Sequence, residues 1–246
     1  MDTVAVVTGA GRGLGAVIAR QLYDRGHRVA LADIDIAAAS STAAEIDSTG
    51  SRVIAVALDV RSKNSFENVR DAVIEQWGSV EVLVNNAGQA QIRALMAITP
   101  QEFCGIVETN LNGAFFGCQV FGAYFAERGY GRIVNIASLA GQNGGTATGA
   151  HYAAAKGGVA TLTKVFAREL ARSGVTVNAV SPGPLDLPFV HETVPTEKLA
   201  AIVSTIPVGA LGSPGFVAET VALLASQSAS TVTGACWDIN GGLYMR

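Results

Sequence analysis

A doubly wound α/β fold, a mostly parallel seven-stranded sheet with helices on both faces, is predicted by three features of the sequence. Short β-branched or apolar runs alternate with helical patterns along the whole chain, which implies parallel pairing through right-handed crossovers. The first run leads at once into a glycine-rich loop and a helix. No repeat, low-complexity tract or linker interrupts the 246 residues, so 1–246 is expected to form a single domain.

Taken in order, the first strand is VAVVT (Val4 to Thr8), followed by Gly9, Gly11, Arg12, Gly13, Leu14 and Gly15 and a helical pattern through Arg25. Glycines let a backbone turn tightly and approach a pyrophosphate, with the N–H groups of the helix start facing it. A strict G-x-G-x-x-G spacing fails because position 14 is Leu; the spacing present is G-x-x-x-G-x-G, which also suits a tight turn without ligand. The second strand, Arg28 to Asp35, carries Asp33, an acid placed to bond a ribose 2′-OH and to repel a 2′-phosphate. This argues for NAD over NADP, with Arg12 as counter-evidence. Asp33 and Asp35 also suit a helix cap before Ile36 to Ser48, one role for each Asp.

The third strand (Arg52 to Val60) ends in Asp59 and Val60, and the next helix places Phe66, Val69, Val73 and Trp77 at helical spacing, as core. The fourth strand runs into Asn85, Asn86, Ala87 and Gly88, amides that support the sheet or line a cleft; spacing does not choose. Pro100 to Glu127 reads as one long helix with Asn110 in its middle. An interior Asn needs a partner if buried, and the apolar neighbours Leu111, Phe115 and Phe116 favour burial over solvation. A fifth strand (RIVNIAS) ends at Ser138, and a sixth, within Ser173 to Pro184, ends at Pro182 and Gly183. An irregular segment, about 184–212, is expected to be a lid. A helix from Ser213 to Ser226 and a last strand within Gly234 to Gly242 close the sheet.

Composition excludes several classes. The chain is 49% hydrophobic and 15% charged with a net charge of −3, so it has a large core and no basic footprint for nucleic acid. The low charge also hints at surface buried against other subunits. Cys104, Cys118 and Cys236 are too scattered for a disulfide framework, and no metal-ligand spacing occurs. The segment MDTVAVVTGAG lacks a charged leader region. Leu111 to Phe125 is shorter than the ~20 residues of a membrane span. A cytoplasmic enzyme is the expectation.

Chemistry gathers between Ser138 and Lys156. Tyr152 and Lys156, four apart on a helix, share one face. Either they are an ordinary surface pair, or the ammonium lowers the phenol pKa and makes it a proton carrier near neutral pH. Ser138, at a strand end, would meet Tyr152 over a substrate. It is in no G-x-S-x-G elbow, so acyl transfer is not expected. His151, the next residue round the helix, is expected on the surface; His27 is placed in a turn and His191 in the exposed lid.

In order and spacing, TGAGRGLG, Asp59-Val60, NNAG, Ser138 with Tyr152 and Lys156, and Pro182-Gly183 resemble the short-chain dehydrogenase/reductase family over essentially the whole chain. The ending NGGLYM and the run AAAKGG are most similar to its 3-oxoacyl-carrier-protein reductase-like members. The resemblance implies a Rossmann domain, a homotetramer and an Asn110–Ser138–Tyr152–Lys156 tetrad. It implies that Asp59, with Val60, touches the adenine, and that Asn86, Ala87 and Gly88 border the nucleotide. Pro182, Gly183 and Leu185 join the cofactor-binding residues, as do Tyr152 and Lys156, the latter through the nicotinamide ribose. Two departures stand out: Leu187 occupies the place of a Thr common after Pro-Gly, and the Ser138–Tyr152 interval is one residue longer than usual.

The expected function is hydride transfer between NAD(H) and a secondary alcohol or ketone. NADPH-dependent reduction of a 3-oxoacyl thioester is the alternative, and a non-catalytic nucleotide sensor or scaffold is the alternative of another class. Leu185, Leu187, Phe189 and Val190 suit an apolar or mid-sized carbonyl substrate. No nucleic acid, membrane or metal is expected as partner.

Overall fold

A computed structural model describes residues 3–145 and 149–246. Seven strands form one sheet: β1 (Val4–Thr8), β2 (Arg28–Asp33), β3 (Val53–Ala57), β4 (Val82–Asn85), β5 (Gly131–Ile136), β6 (Val175–Pro182) and β7 (Cys236–Ile239). Their order is β3-β2-β1-β4-β5-β6-β7, and every pair is parallel. The order reverses between β1 and β4, so a crevice opens beyond their carboxyl ends.

Alternation along β1 builds both layers. Ala5 and Val7 face α1 (Gly13–Asp24), α2 (Ile36–Ile46) and α10 (Pro214–Ala225), meeting Ile18, Leu22, Val217 and Val221. Val4 and Val6 face the opposite layer, α3 (Lys63–Trp77), α5 (Gly113–Arg128) and α7 (Ala150–Leu170), where Phe66, Phe121 and Phe125 are fully buried. Each such ring contributes roughly 1.5–3 kcal/mol by leaving water. Trp77 sits at the edge of that core, half-buried.

Two expectations about local structure are corrected. The long helix predicted over Pro100 to Glu127 is α4 (Pro100–Val107), a π-turn (Glu108–Asn112) and then α5. The segment about 184–212, expected to be irregular, carries α8 (Pro188–Thr193) and α9 (Thr196–Thr205). The short α6 (Ala140–Asn143) lies in the Ser138–Tyr152 interval, of which residues 146–148 are outside those described. No helix among the described residues is long and apolar enough to cross a membrane.

Candidate active site

A cleft of about 880 Å³ lies over the carboxyl ends of the central strands. Its floor begins at the glycine loop. Gly15 sits so close to the Gly9 carbonyl that any side chain there would collide with it. Asn86 clamps the loop from β4, its Nδ2 donating to the Thr8 carbonyl at 2.9 Å and the Gly9 carbonyl at 3.1 Å. The Thr8 hydroxyl accepts from the N–H groups of Asn86 (3.0 Å) and Ala87 (2.9 Å). Sequence reasoning missed Thr8; its signal is the polar residue that closes an otherwise apolar strand.

Helix α1 starts at Gly13 with no side-chain cap and no acid in its first turn. Its first N–H groups, and Leu14 and Gly15 beside the cleft, are therefore left for an anion. By contrast α2 is capped by Asp35, whose carboxylate accepts from the Ala38 N–H at 3.0 Å. The donor set at α1 thus fits a dinucleotide pyrophosphate.

Asp33 lines the same cleft but is tied inward. Its Oδ2 accepts from the Gly11 N–H at 2.8 Å and its Oδ1 from the Asp35 N–H at 3.0 Å. Arg12 stands exposed on that rim with no partner among the described residues. Asp59 lies beside Val60 and is held by Arg61 through Nη2 at 2.7 Å and Nε at 2.9 Å; those hydrogen bonds, first of all, keep its carboxyl below the ordinary range.

At the other end of the cleft the residues from β5, the π-turn and α7 come together. Ser138 stands close enough to Tyr152 to act on its phenol, and its hydroxyl accepts from the Ala140 N–H at 3.1 Å. Lys156 Nζ lies 5.8 Å from the centre of the Tyr152 ring and donates to the Ile136 carbonyl at 2.7 Å. Asn110, 1% exposed, donates to the carbonyls of Gln89 (2.8 Å) and Ile106 (3.0 Å). A Cβ placed on Gly88 would sit 2.7 Å from Asn110 Oδ1 and 3.5 Å from Lys156 Nζ, which puts all three at one point.

The electrostatics differ from the expectation. Burial raises the Tyr152 pKa above its usual value, while Ser138 opposes the rise. Burial brings Lys156 down to about 8. Desolvation outweighs the influence of Ser138, and the phenol stays protonated at neutral pH. Three further placements stand beside this. Leu185, Leu187 and Phe189 form an apolar wall of the cleft. Pro182 ends β6 and Gly183 follows it; neither lines the cleft, and the Gly183 N–H donates to the Ile239 carbonyl at 2.8 Å. His151, expected on the surface, is fully buried, and His27 is 8% exposed with Nδ1 2.8 Å from the Thr3 hydroxyl.

Comparison with known proteins places relatives over nearly the whole chain. A family model described as Enoyl-(Acyl carrier protein) reductase matches residues 9–244. The 3-oxoacyl-[acyl-carrier-protein] reductase FabG of Vibrio cholerae is 40% identical over 243 residues, 98% of this chain and 97% of that protein. Its Escherichia coli counterpart is 37% identical over 245 residues, with 98% and 97% covered. A crystal structure of a variant actinorhodin polyketide ketoreductase with NADPH superimposes with a TM-score of 0.91 at 40% identity, covering 98% of this chain and 97% of that one. These relatives overturn the preference for NAD read from Asp33. The physical reason is local: both Asp33 oxygens already accept backbone N–H groups, while the guanidinium on the rim is free to meet a phosphate.

Proposed function

The chain belongs to the short-chain dehydrogenase/reductase family, oxidoreductases acting on carbonyl or CH–OH groups, and from that premise we propose that it reduces 3-oxoacyl thioesters with NADPH. This replaces the broader expectation of an alcohol dehydrogenase. The observation that carries it is Tyr152, with Ser138 beside it and Lys156 Nζ 5.8 Å from its ring, at the end of a cleft whose other end is an uncapped helix start.

The glycine loop, the α1 N-terminus and Arg12 would hold the nucleotide phosphates, and Asp59, Val60, Asn86, Ala87 and Gly88 the adenine side and the middle of the cleft. The residues at the end of β6 and Leu185 would border the nicotinamide. When bound, NADPH supplies the hydride for the carbonyl carbon. The protein's part is at the oxygen. Ser138 hydrogen-bonds the carbonyl oxygen, and Tyr152 donates its proton to it. The phenol is protonated at neutral pH and so has a proton to donate. Lys156 restores the proton balance beside the phenol and reaches the ribose; Asn110 fixes the loop at Gln89. The wall of Leu185, Leu187 and Phe189 accepts an acyl chain. A homotetramer is the assembly that the resemblance to this family supports.

The test follows NADPH absorbance with an acetoacetyl thioester and, in parallel, with cyclic ketones and diketones. The thioester should be turned over with the highest kcat/KM, and Tyr152→Phe should lower kcat by ~10²–10⁴. Undiminished turnover in Tyr152→Phe, or preference for simple ketones, defeats the reading.

A further inference from the structure

Behind Tyr152 runs a row of hydrogen bonds that the proposed chemistry does not use. It begins at the Tyr152 backbone N–H, which donates to His151 Nδ1 at 3.0 Å and to the Gly149 carbonyl at 3.1 Å. With Nδ1 as acceptor, Nε2 is the ring nitrogen left to donate. Nε2 faces Gln91 Oε1 at 3.3 Å, and Gln91 Nε2 donates to Glu102 Oε1 at 3.1 Å. Glu102 closes the capping box of α4: its Oε2 accepts from the Thr99 N–H at 2.9 Å, while Arg93 Nε meets Oε1 at 3.1 Å. The Thr99 N–H first, with Arg93 adding to it, keeps that carboxyl below its ordinary value, so the row ends on a full negative charge. From Tyr152 to Glu102 the three donors point the same way.

Packing makes the row rigid at its centre. His151 is fully buried, and the Gly149 N–H donates to the Gln91 carbonyl at 3.1 Å beside it. A side chain on Gly149 would collide with the imidazole. Helix α7 has no side-chain cap of its own, so its first turn depends on these contacts. The same loop is fastened at its other end to the π-turn, where Asn110 accepts from the Gln89 N–H at 3.3 Å and donates to the Gln89 carbonyl at 2.8 Å. Residues 89–91 therefore strap the turn that carries Asn110 to the turn that carries Tyr152.

We propose that His151 and Gln91 are positioning residues: the Glu102–Gln91–His151 row fixes Tyr152 relative to Asn110 and so sets the rate of proton delivery, without touching substrate or cofactor. The inference rests on Tyr152 being the proton donor. Misplacing a reacting group by about an ångström costs on the order of 100-fold in rate, so a loosened first turn of α7 acts on turnover before it acts on binding.

The test uses the full chain with NADPH and an acetoacetyl thioester. His151→Leu and Gln91→Leu should each lower kcat by about 10-fold, with the KM for both substrates within about twofold. The double variant should be no slower than the slower single, because the row acts as one unit. Hydrogen exchange at the Tyr152 amide should quicken in both single variants. Where His151→Leu does not fold, the same cycle is run with Gln91→Leu and Glu102→Gln. Unchanged kcat in the variants, losses that multiply and follow the melting temperature, or unchanged exchange at Tyr152 each overturn the proposal. Faster exchange at Tyr152 in protein that never reduces the thioester would instead defeat the assigned reaction while leaving the row standing.

Discussion

Lys156 holds its amine in the floor of the cleft, 2.7 Å from the Ile136 carbonyl, and burial lowers its pKa from 10.5 to about 8. Between those two pH values the unfolded chain binds a proton that the folded chain lacks. Stability then rises with pH across that window, and below about 8 the buried charge opposes folding in full. Measured by urea unfolding, the wild type should gain on Lys156→Met as pH is raised from 7.5 to 9.5, while the variant loses turnover at every pH. An equal difference at both pH values would show that the amine is not desolvated. At this scale the sequence was readable where placement depends on spacing along one helix: Tyr152 and Lys156 do lie together in the cleft. It was not readable for His151. The neighbour of a helical residue points elsewhere, but here elsewhere is the loop that carries Gln91, and only the tertiary fold brings that loop to the start of α7. The sign of the Tyr152 shift was hidden for the same reason, because burial is a property of the packed cleft.

The π-turn shows how an element can be shaped by one side chain. Asn110 Nδ2 reaches the carbonyls of Ile106, on its own helix, and of Gln89, on the loop opposite. Asn110→Ala leaves those buried carbonyls without that donor, at a cost of about 1–3 kcal/mol. Urea unfolding should show a loss of that size, with a larger fall in kcat than in NADPH affinity. A stability within about 0.5 kcal/mol of the wild type, the usual scatter of neutral substitutions, would mean that the turn is held by something else. Periodicity placed helices on both sides of Asn110 correctly, since the apolar stripe continues through the turn. It could not show the turn itself, because one widened turn barely disturbs the pattern of buried positions. The segment 184–212 was misjudged for a different reason. Pro188, at the first position of α8, reads as a breaker yet is compatible with a helix start. Neither α8 nor α9 buries a residue fully, so no strong stripe announces them.

For the molecule as a whole, the cleft lies across the crevice between β1 and β4, and a ligand there touches loops from both halves of the sheet. Binding should therefore stabilise the entire fold. NADPH at about 100 times its Kd adds ~2.7 kcal/mol, which at ~2–4 °C per kcal/mol raises the melting temperature by several degrees. Thermal denaturation with and without NADPH checks this; no shift at saturating NADPH would remove the cleft from consideration as the nucleotide site. The architecture was the most legible property of all. Strands such as VLVN and GRIVNI are buried on both faces, and only a sheet covered by helices on each side accommodates such runs. The order of the strands has one more consequence, for the chain as it leaves the ribosome. The sheet is laid outward from β1, first to β3 and then, on the other side, from β4 to β7. Each newly made strand docks on an edge that is already waiting, and none has to be threaded between two partners. The nascent protein can thus assemble vectorially, with β7 the last of the seven to dock and Arg246 pinning it through Asp238 at 2.9 Å.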